Sequence, residues 1–221
     1  MAKVFLSAGH GGSDPGAVAN SLYEKTVNLN TLLACKDVLE SHGIDVVCSR
    51  TTDAYDPVQD EVKEANDSGA DIAVSFHANA GGGDGFEVFY YSGSSIGKTL
   101  AGLCEKHVMQ LGQNSRGLKD GNHLYFIKNT NMPSVLVESF FVDNIKDKAI
   151  GDTQQEQNAF GVAYAKAILE YFGIPYKNES TPNSVLYKVQ CGAFKNKDNA
   201  KSLQDKLTAA GYATVIVNVK T

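Results

Sequence analysis

Two imidazoles and two carboxylates in this 221-residue chain stand where chemistry is possible. His10 follows the apolar run Val4-Phe5-Leu6-Ser7-Ala8-Gly9, His77 follows Ile72-Ala73-Val74-Ser75-Phe76, and Glu138 follows Val135-Leu136-Val137. Each run reads as a buried strand, and in open α/β sheets ligands sit in the crevice beyond the carboxyl ends of the strands. Any one of the three alone could equally be a satisfied polar end-group. Glu24, at the start of a helical pattern, taken alone reads as a cap favoured by the helix dipole. Together, two imidazoles and a carboxylate are the ligand set of an open catalytic zinc site, which takes three protein ligands and leaves the fourth position to water. His10, Glu24 and His77 can supply that set, with Glu138 as an unligated acid/base.

The elements that must position these groups alternate along the chain. Lys3 to Leu6 predicts a strand, and Leu22 to Ser41 a helix whose broad face carries Val27, Leu29, Leu32, Leu33, Val38 and Leu39, ended by His42-Gly43. Further strands are expected at Ile44–Cys48, Ile72–Phe76, Phe86–Tyr90, Leu124–Ile127 and Val135–Val137. Helices are expected at Pro57–Ser68, Ser95–Leu111 and Thr153–Phe172. This is an α/β pattern, a mainly parallel twisted sheet flanked by helices. After Phe172 two prolines and a loss of apolar period mark a linker. The expected division is a catalytic domain over 1–175, a linker over 176–184 and a small βαβ-like module over 185–221, with a strand from Leu186 to Cys191, a helix from Lys197 to Ala210 and a strand from Ala213 to Val219.

Composition narrows the function classes. Residues 1–176 carry 13 Lys+Arg against 22 Asp+Glu, and residues 177–221 carry 7 against 3, so an acidic body precedes a basic tail. The acidic body argues against nucleic acid, whose phosphates need clustered cations. No apolar stretch reaches the roughly 20 residues of a membrane span, and Val4-Phe5-Leu6 is too short for a signal peptide. The expected product is made in the cytoplasm and has no membrane partner. Cys35, Cys48, Cys104 and Cys191 lack CxxC spacing and are expected as reduced thiols.

Four separated segments, in order, carry a resemblance. Gly9-His10-Gly11-Gly12-Ser13-Asp14-Pro15-Gly16-Ala17, Tyr23-Glu24-Lys25, Ser75-Phe76-His77-Ala78-Asn79-Ala80 and Pro133-Ser134-Val135-Leu136-Val137-Glu138 closely resemble the zinc-dependent N-acetylmuramoyl-L-alanine amidases often called amidase_3, over about residues 1–175. The resemblance implies Zn2+ bound by His10, Glu24 and His77, with Glu138 as the catalytic carboxylate. It also implies cleavage of the amide between N-acetylmuramic acid and L-alanine in peptidoglycan, by zinc-activated water. Two departures stand out. The family's Glu-x-Gly-Phe is Glu138-Ser139-Phe140-Phe141, and an arginine common before the Ala-Asn pair is replaced near Glu61.

Weaker candidates surround this set. Asn79, His123 and Arg116 are read as substrate-binding residues, and Asp14-Pro15-Gly16 as a turn that shapes the metal loop. Leu186 to Phe194 and Gly211 to Val215, with the helix between them, resemble one half of a SPOR-type peptidoglycan-binding domain. So short a unit leaves strand edges uncovered, which predicts a homodimer through the tail, binding the wall glycan. The missing signal peptide suits a phage endolysin or a mother-cell autolysin that acts on the wall after release. Two other readings use the same residues: a zinc peptidase or deacetylase on another wall amide, and a non-catalytic wall-binding protein.

Overall fold

Uninterrupted apolar runs become the central strands, because a sheet covered by helices on both faces buries every strand residue rather than every second one. The computed structural model describes residues 2–177, 191–212, 214 and 216. They fall into two units, 1–177 and 178–221. In the first, β1 (Lys3–Ala8), β4 (Asp45–Cys48), β5 (Ile72–Asn79), β6 (Phe86–Tyr90), β7 (Ser115–Asp120) and β8 (Ser134–Phe141) form one sheet in the order β4-β1-β5-β8-β6-β7. All neighbours are parallel except β6 and β8. A separate two-stranded ribbon joins β2 (Val18–Ala19) to β3 (Leu22–Tyr23).

Alternation along the strands divides the core in two. Val4, Leu6, Val74, Phe76, Val135 and Val137 pack with α1 (Glu24–Ser41), α3 (Ser95–Val108) and α6 (Gln154–Tyr171). Phe5, Ala73 and Leu136 belong to a second cluster with α2 (Val58–Ser68) and α4 (Tyr125–Asn129), through Val62, Ala65, Phe126 and Ile127. Each large aliphatic or aromatic side chain so buried contributes about 1.5–3 kcal/mol. A Cβ on Gly161 would lie 2.3 Å from the Thr31 carbonyl oxygen, so the close approach of α1 and α6 tolerates no side chain there. Thr153 and Glu156 form a reciprocal capping box that starts α6.

The connection after β1 runs through α1 to β4 on one side, and the chain then crosses through α2 to β5 on the other. The strand order therefore reverses between β1 and β5, the place where α/β sheets open a crevice at their carboxyl ends. His10 lies just past β1 at this point, and His77 lies on β5.

Several expectations need correction. The strand expected at Leu124–Ile127 is the short helix α4, with Phe126 and Ile127 inward and Tyr125 46% exposed. The charged segment Arg116–Lys119, where no strand is expected above, belongs to edge strand β7. The expected first helix begins at Glu24, since Leu22 and Tyr23 pair in the ribbon. A further helix, α5 (Ile145–Gly151), follows β8 and is capped by Asn144. His77 and Glu138 do not follow their strands but stand inside β5 and β8, which run on to Asn79 and Phe141.

In the second unit α7 (Lys197–Ala209) starts at Asn196, whose side chain accepts from the Asp198 amide, and the chain leaves it at Gly211 with φ +88°. The strands expected on either side of α7 fall largely outside the described residues. All four cysteines are free. Among the described residues no helix is long and apolar enough to cross a membrane.

Candidate metal centre

The loop after β1 is built to turn sharply. Gly11 and Asp14 exchange both backbone hydrogen bonds, and His10 itself takes a left-handed φ of +64°. A non-glycine residue adopts that conformation only when its surroundings hold it there. Arg50, 5% exposed at the end of β4, supplies that hold by donating to the carbonyls of Ala8, Gly9, Lys25 and Thr52. Lys25 in turn donates to Asp53 and the Gly12 carbonyl. Sequence reading passed over Arg50, although a cation directly after a strand, Cys48-Ser49-Arg50, was a visible signal.

These constraints bring His10, Glu24 and His77 together, with one potential ligand atom from each lying within 4.8 Å of the others. Glu24 Oε1 is 3.0 Å from His77 Nδ1 and 3.3 Å from His10 Nε2. It also accepts from the Ala78 amide, while Oε2 accepts from that of Ala17. Glu24 therefore does not cap its helix. Its carboxylate turns into the crevice, where the first turn of α1 adds a favourable dipole. Glycines leave room for the cluster: a Cβ on Gly9 would meet the His77 ring at 2.1 Å, and one on Gly16, at φ +63°, would meet Glu24 Oε2 at 2.6 Å.

Asp14 does more than shape a turn. Its Oδ2 lies 2.8 Å from His10 Nδ1, and its Oδ1 accepts from the Gly16 amide. With Nδ1 as the donor, His10 Nε2 keeps its lone pair for a metal, the usual role of a carboxylate behind a ligating imidazole. The hydrogen bond to Glu24 lifts the His10 pKa to about 9 against the effect of burial, with Asp14 adding to the rise. Burial opposes ionisation of Glu24, but the two imidazoles hold its carboxyl well below the usual range. Burial likewise opposes protonation of His77, and the Glu24 hydrogen bond and Glu138 charge together raise it. This is a carboxylate stabilised by positive charge from two sides, the charge a dication would bring. The donor set and the closeness of its atoms fit zinc.

Glu138 stands beside this cluster, paired in register with His77 on β5 and with Glu87 on β6. Its Oε2 is buried without a hydrogen-bond partner among the described residues. Burial, with Glu24 and Glu87 adding to it, pushes the carboxyl up to about 7 despite His77. Phe140, where the family pattern has glycine, is buried in the core against the Phe160 ring at 5.6 Å, so this departure leaves Glu138 in place.

The other candidates lie apart from the three ligands. Asn79 donates to Glu87 and accepts from the Ala80 amide. Arg116 also donates to Glu87 and sits 5.1 Å over the Phe141 ring, so both residues fix Glu87 next to Glu138. His123 packs edge-on against Phe89 at 6.0 Å between centroids. Sequence reading missed the partnership of Arg116 with Glu87, since the two are 29 residues apart and meet only when β7 pairs with β6.

Comparison with known proteins decides the kinship. The model of the Amidase_3 family, described as N-acetylmuramoyl-L-alanine amidase, matches residues 4–170. The chain belongs to the Amidase_3 family. A SPOR domain model matches residues 183–221. The sporulation-specific N-acetylmuramoyl-L-alanine amidase of Bacillus subtilis is 35% identical over 98% of this chain and 85% of its own length. The endolysin of Bacillus phage SPP1 is 35% identical over 79% of this chain and 68% of its own. The catalytic domain of the amidase CwlV from Bacillus (Paenibacillus) polymyxa superposes with a TM-score of 0.74 at 34% identity, covering 79% of this chain and all of that domain. The superposed CwlV domain shares the α/β fold described above.

Proposed function

We propose that this Amidase_3 chain hydrolyses the amide between the lactyl group of N-acetylmuramic acid and L-alanine in peptidoglycan, using zinc held by His10, Glu24 and His77. The observation that carries the reading is the meeting of these three donors at the crevice between β1 and β5, beside the orphaned Glu138 Oε2. Zinc held by three protein ligands supplies Lewis acidity and lowers the pKa of water toward about 7. Asp14 keeps the His10 ring oriented, and Glu24 is held by the Ala17 and Ala78 amides. Glu138 Oε2 takes a proton from the attacking water and delivers it to the amide nitrogen as the C–N bond breaks. A carboxyl whose pKa burial has brought near neutrality suits both halves of that transfer.

The test is mass spectrometry of purified peptidoglycan after incubation with the protein. Stem peptides with a free L-alanine amine are expected, and a zinc chelator should abolish them. Release of acetate, or of fragments cut within the peptide, would instead identify a deacetylase or a peptidase.

The basic tail, +4 over residues 177–221, is proposed to hold the enzyme on the wall. Ending the chain after Tyr176 should leave hydrolysis of soluble muropeptides intact and reduce co-sedimentation with intact walls. Light scattering on the whole chain tests whether two tails pair into a homodimer. The sporulation amidase aligns over nearly the full chain and the endolysin over a smaller part, which supports an autolysin's setting over a phage one.

A further inference from the structure

A cavity of about 340 Å³ opens beside His10 and His77, and its far wall belongs to no part of the metal cluster. Ser75 lines it, 1% exposed, with a hydroxyl that has no hydrogen-bond partner among the described residues. Glu61, from α2 and 3% exposed, lines it as well and accepts from the Ser7 hydroxyl at 2.7 Å. Asp56, from the loop before α2, adds a buried Oδ2 that is also unpartnered among the described residues. Buried polar atoms in folded proteins nearly always find partners. Two unpartnered oxygens and a buried carboxylate around one cavity therefore mark the place of a donor that comes from outside.

The donor's chemistry can be read from the wall. Among the described residues no lysine or arginine lines the cavity, and Arg50 directs its hydrogen bonds to backbone carbonyls instead. Burial, then the neighbouring Glu61, Glu64 and Asp60, push the Asp56 carboxyl up to about 6 against the pull of Arg50, and burial raises Glu61 despite Ser7, His77, Arg50 and His10, so a further cation at this wall relieves a cost that the nearby ones leave standing. Tyr55 and Tyr125 line the same cavity and remain 56% and 46% exposed, offering aromatic surface of the kind that attracts cations. Separate oxygens on three residues suit the three divergent donors of a primary ammonium better than the flat fork of a guanidinium.

We propose that this cavity is a subsite for the side-chain ammonium of the diamino acid in a stem peptide, held by Asp56, Glu61 and Ser75. The proposal rests on the amidase reading, which brings a stem peptide to the neighbouring metal centre. It makes the enzyme selective for stems whose amine is free, because a cross-link acylates that amine and removes its charge.

Calorimetric titration of the whole protein with the tripeptide L-Ala-γ-D-Glu-L-Lys and with its Nε-acetyl derivative tests this directly. Neither peptide contains the amide that an amidase cuts, so binding is read without turnover. The free amine is expected to bind at least about tenfold more tightly, as charge-assisted hydrogen bonds are stronger than neutral ones. The difference should vanish in the double variant Asp56→Asn/Glu61→Gln. Equal or undetectable binding of the two peptides to the unaltered protein overturns the subsite, as does a preference that survives in the double variant. Failure of the amidase reading would show separately, as a wall digest without stem peptide.

Discussion

His77→Ala is expected to remove zinc and wall-lytic activity together. The ring lies against the bare backbone of Gly9 and approaches Glu24 Oε1 through Nδ1, so alanine takes away one of the three donors that meet there. A three-ligand site has no spare donor, and its affinity falls sharply with any loss. Metal analysis after dialysis should give about one zinc per chain for the unaltered protein and far less for the variant. Thermal unfolding supplies a second measurement. A ligand at 100 times its Kd stabilises the folded state by about 2.7 kcal/mol, so added zinc should raise the midpoint of the unaltered protein but not of the variant. If His77 served only to satisfy Glu24, the variant would be less stable yet still bind stoichiometric zinc, and that result would refute the assignment.

What could be read from the sequence, and what could not, follows from how far apart the partners lie. The buried strands were legible because both faces of the sheet are covered, which makes runs such as Ile72-Ala73-Val74 continuously apolar. Leu124–Ile127 has the same look over too short a span for periodicity to separate strand from helix, and its outcome was set by packing of Phe126 and Ile127 against Val62 and Ala65. Arg116–Lys119 went unmarked because its charges hide any apolar run, although they suit an exposed edge strand. At the site, residue types were readable and roles were not. Asp14 looked like a turn residue, and its contact with His10 Nδ1 exists only because the Gly11–Asp14 bridge folds the loop back. Glu61, read as a lost arginine, gained meaning only when β1 and β5 placed Ser7 and Ser75 side by side beneath it.

Glu138→Gln separates proton transfer from metal binding. The amide keeps the size of the carboxyl and removes its basicity, and since Oε2 makes no hydrogen bond among the described residues, the change breaks none there. Zinc content and thermal midpoint should therefore stay close to those of the unaltered protein. Turnover should fall by about 10²- to 10⁴-fold, the range for loss of a general acid/base, and the loss should lie in kcat rather than KM. Glu87 cannot readily take over. Its carboxylate already accepts from Arg116 and Asn79 and lies 3.3 Å from Lys119, interactions that keep it occupied. A variant that lost zinc would make Glu138 a fourth ligand rather than a proton carrier, while near-normal lysis with zinc retained would move the base elsewhere. Only full zinc with slow turnover fits a carboxyl kept buried, unpartnered and close to neutrality beside an open metal position.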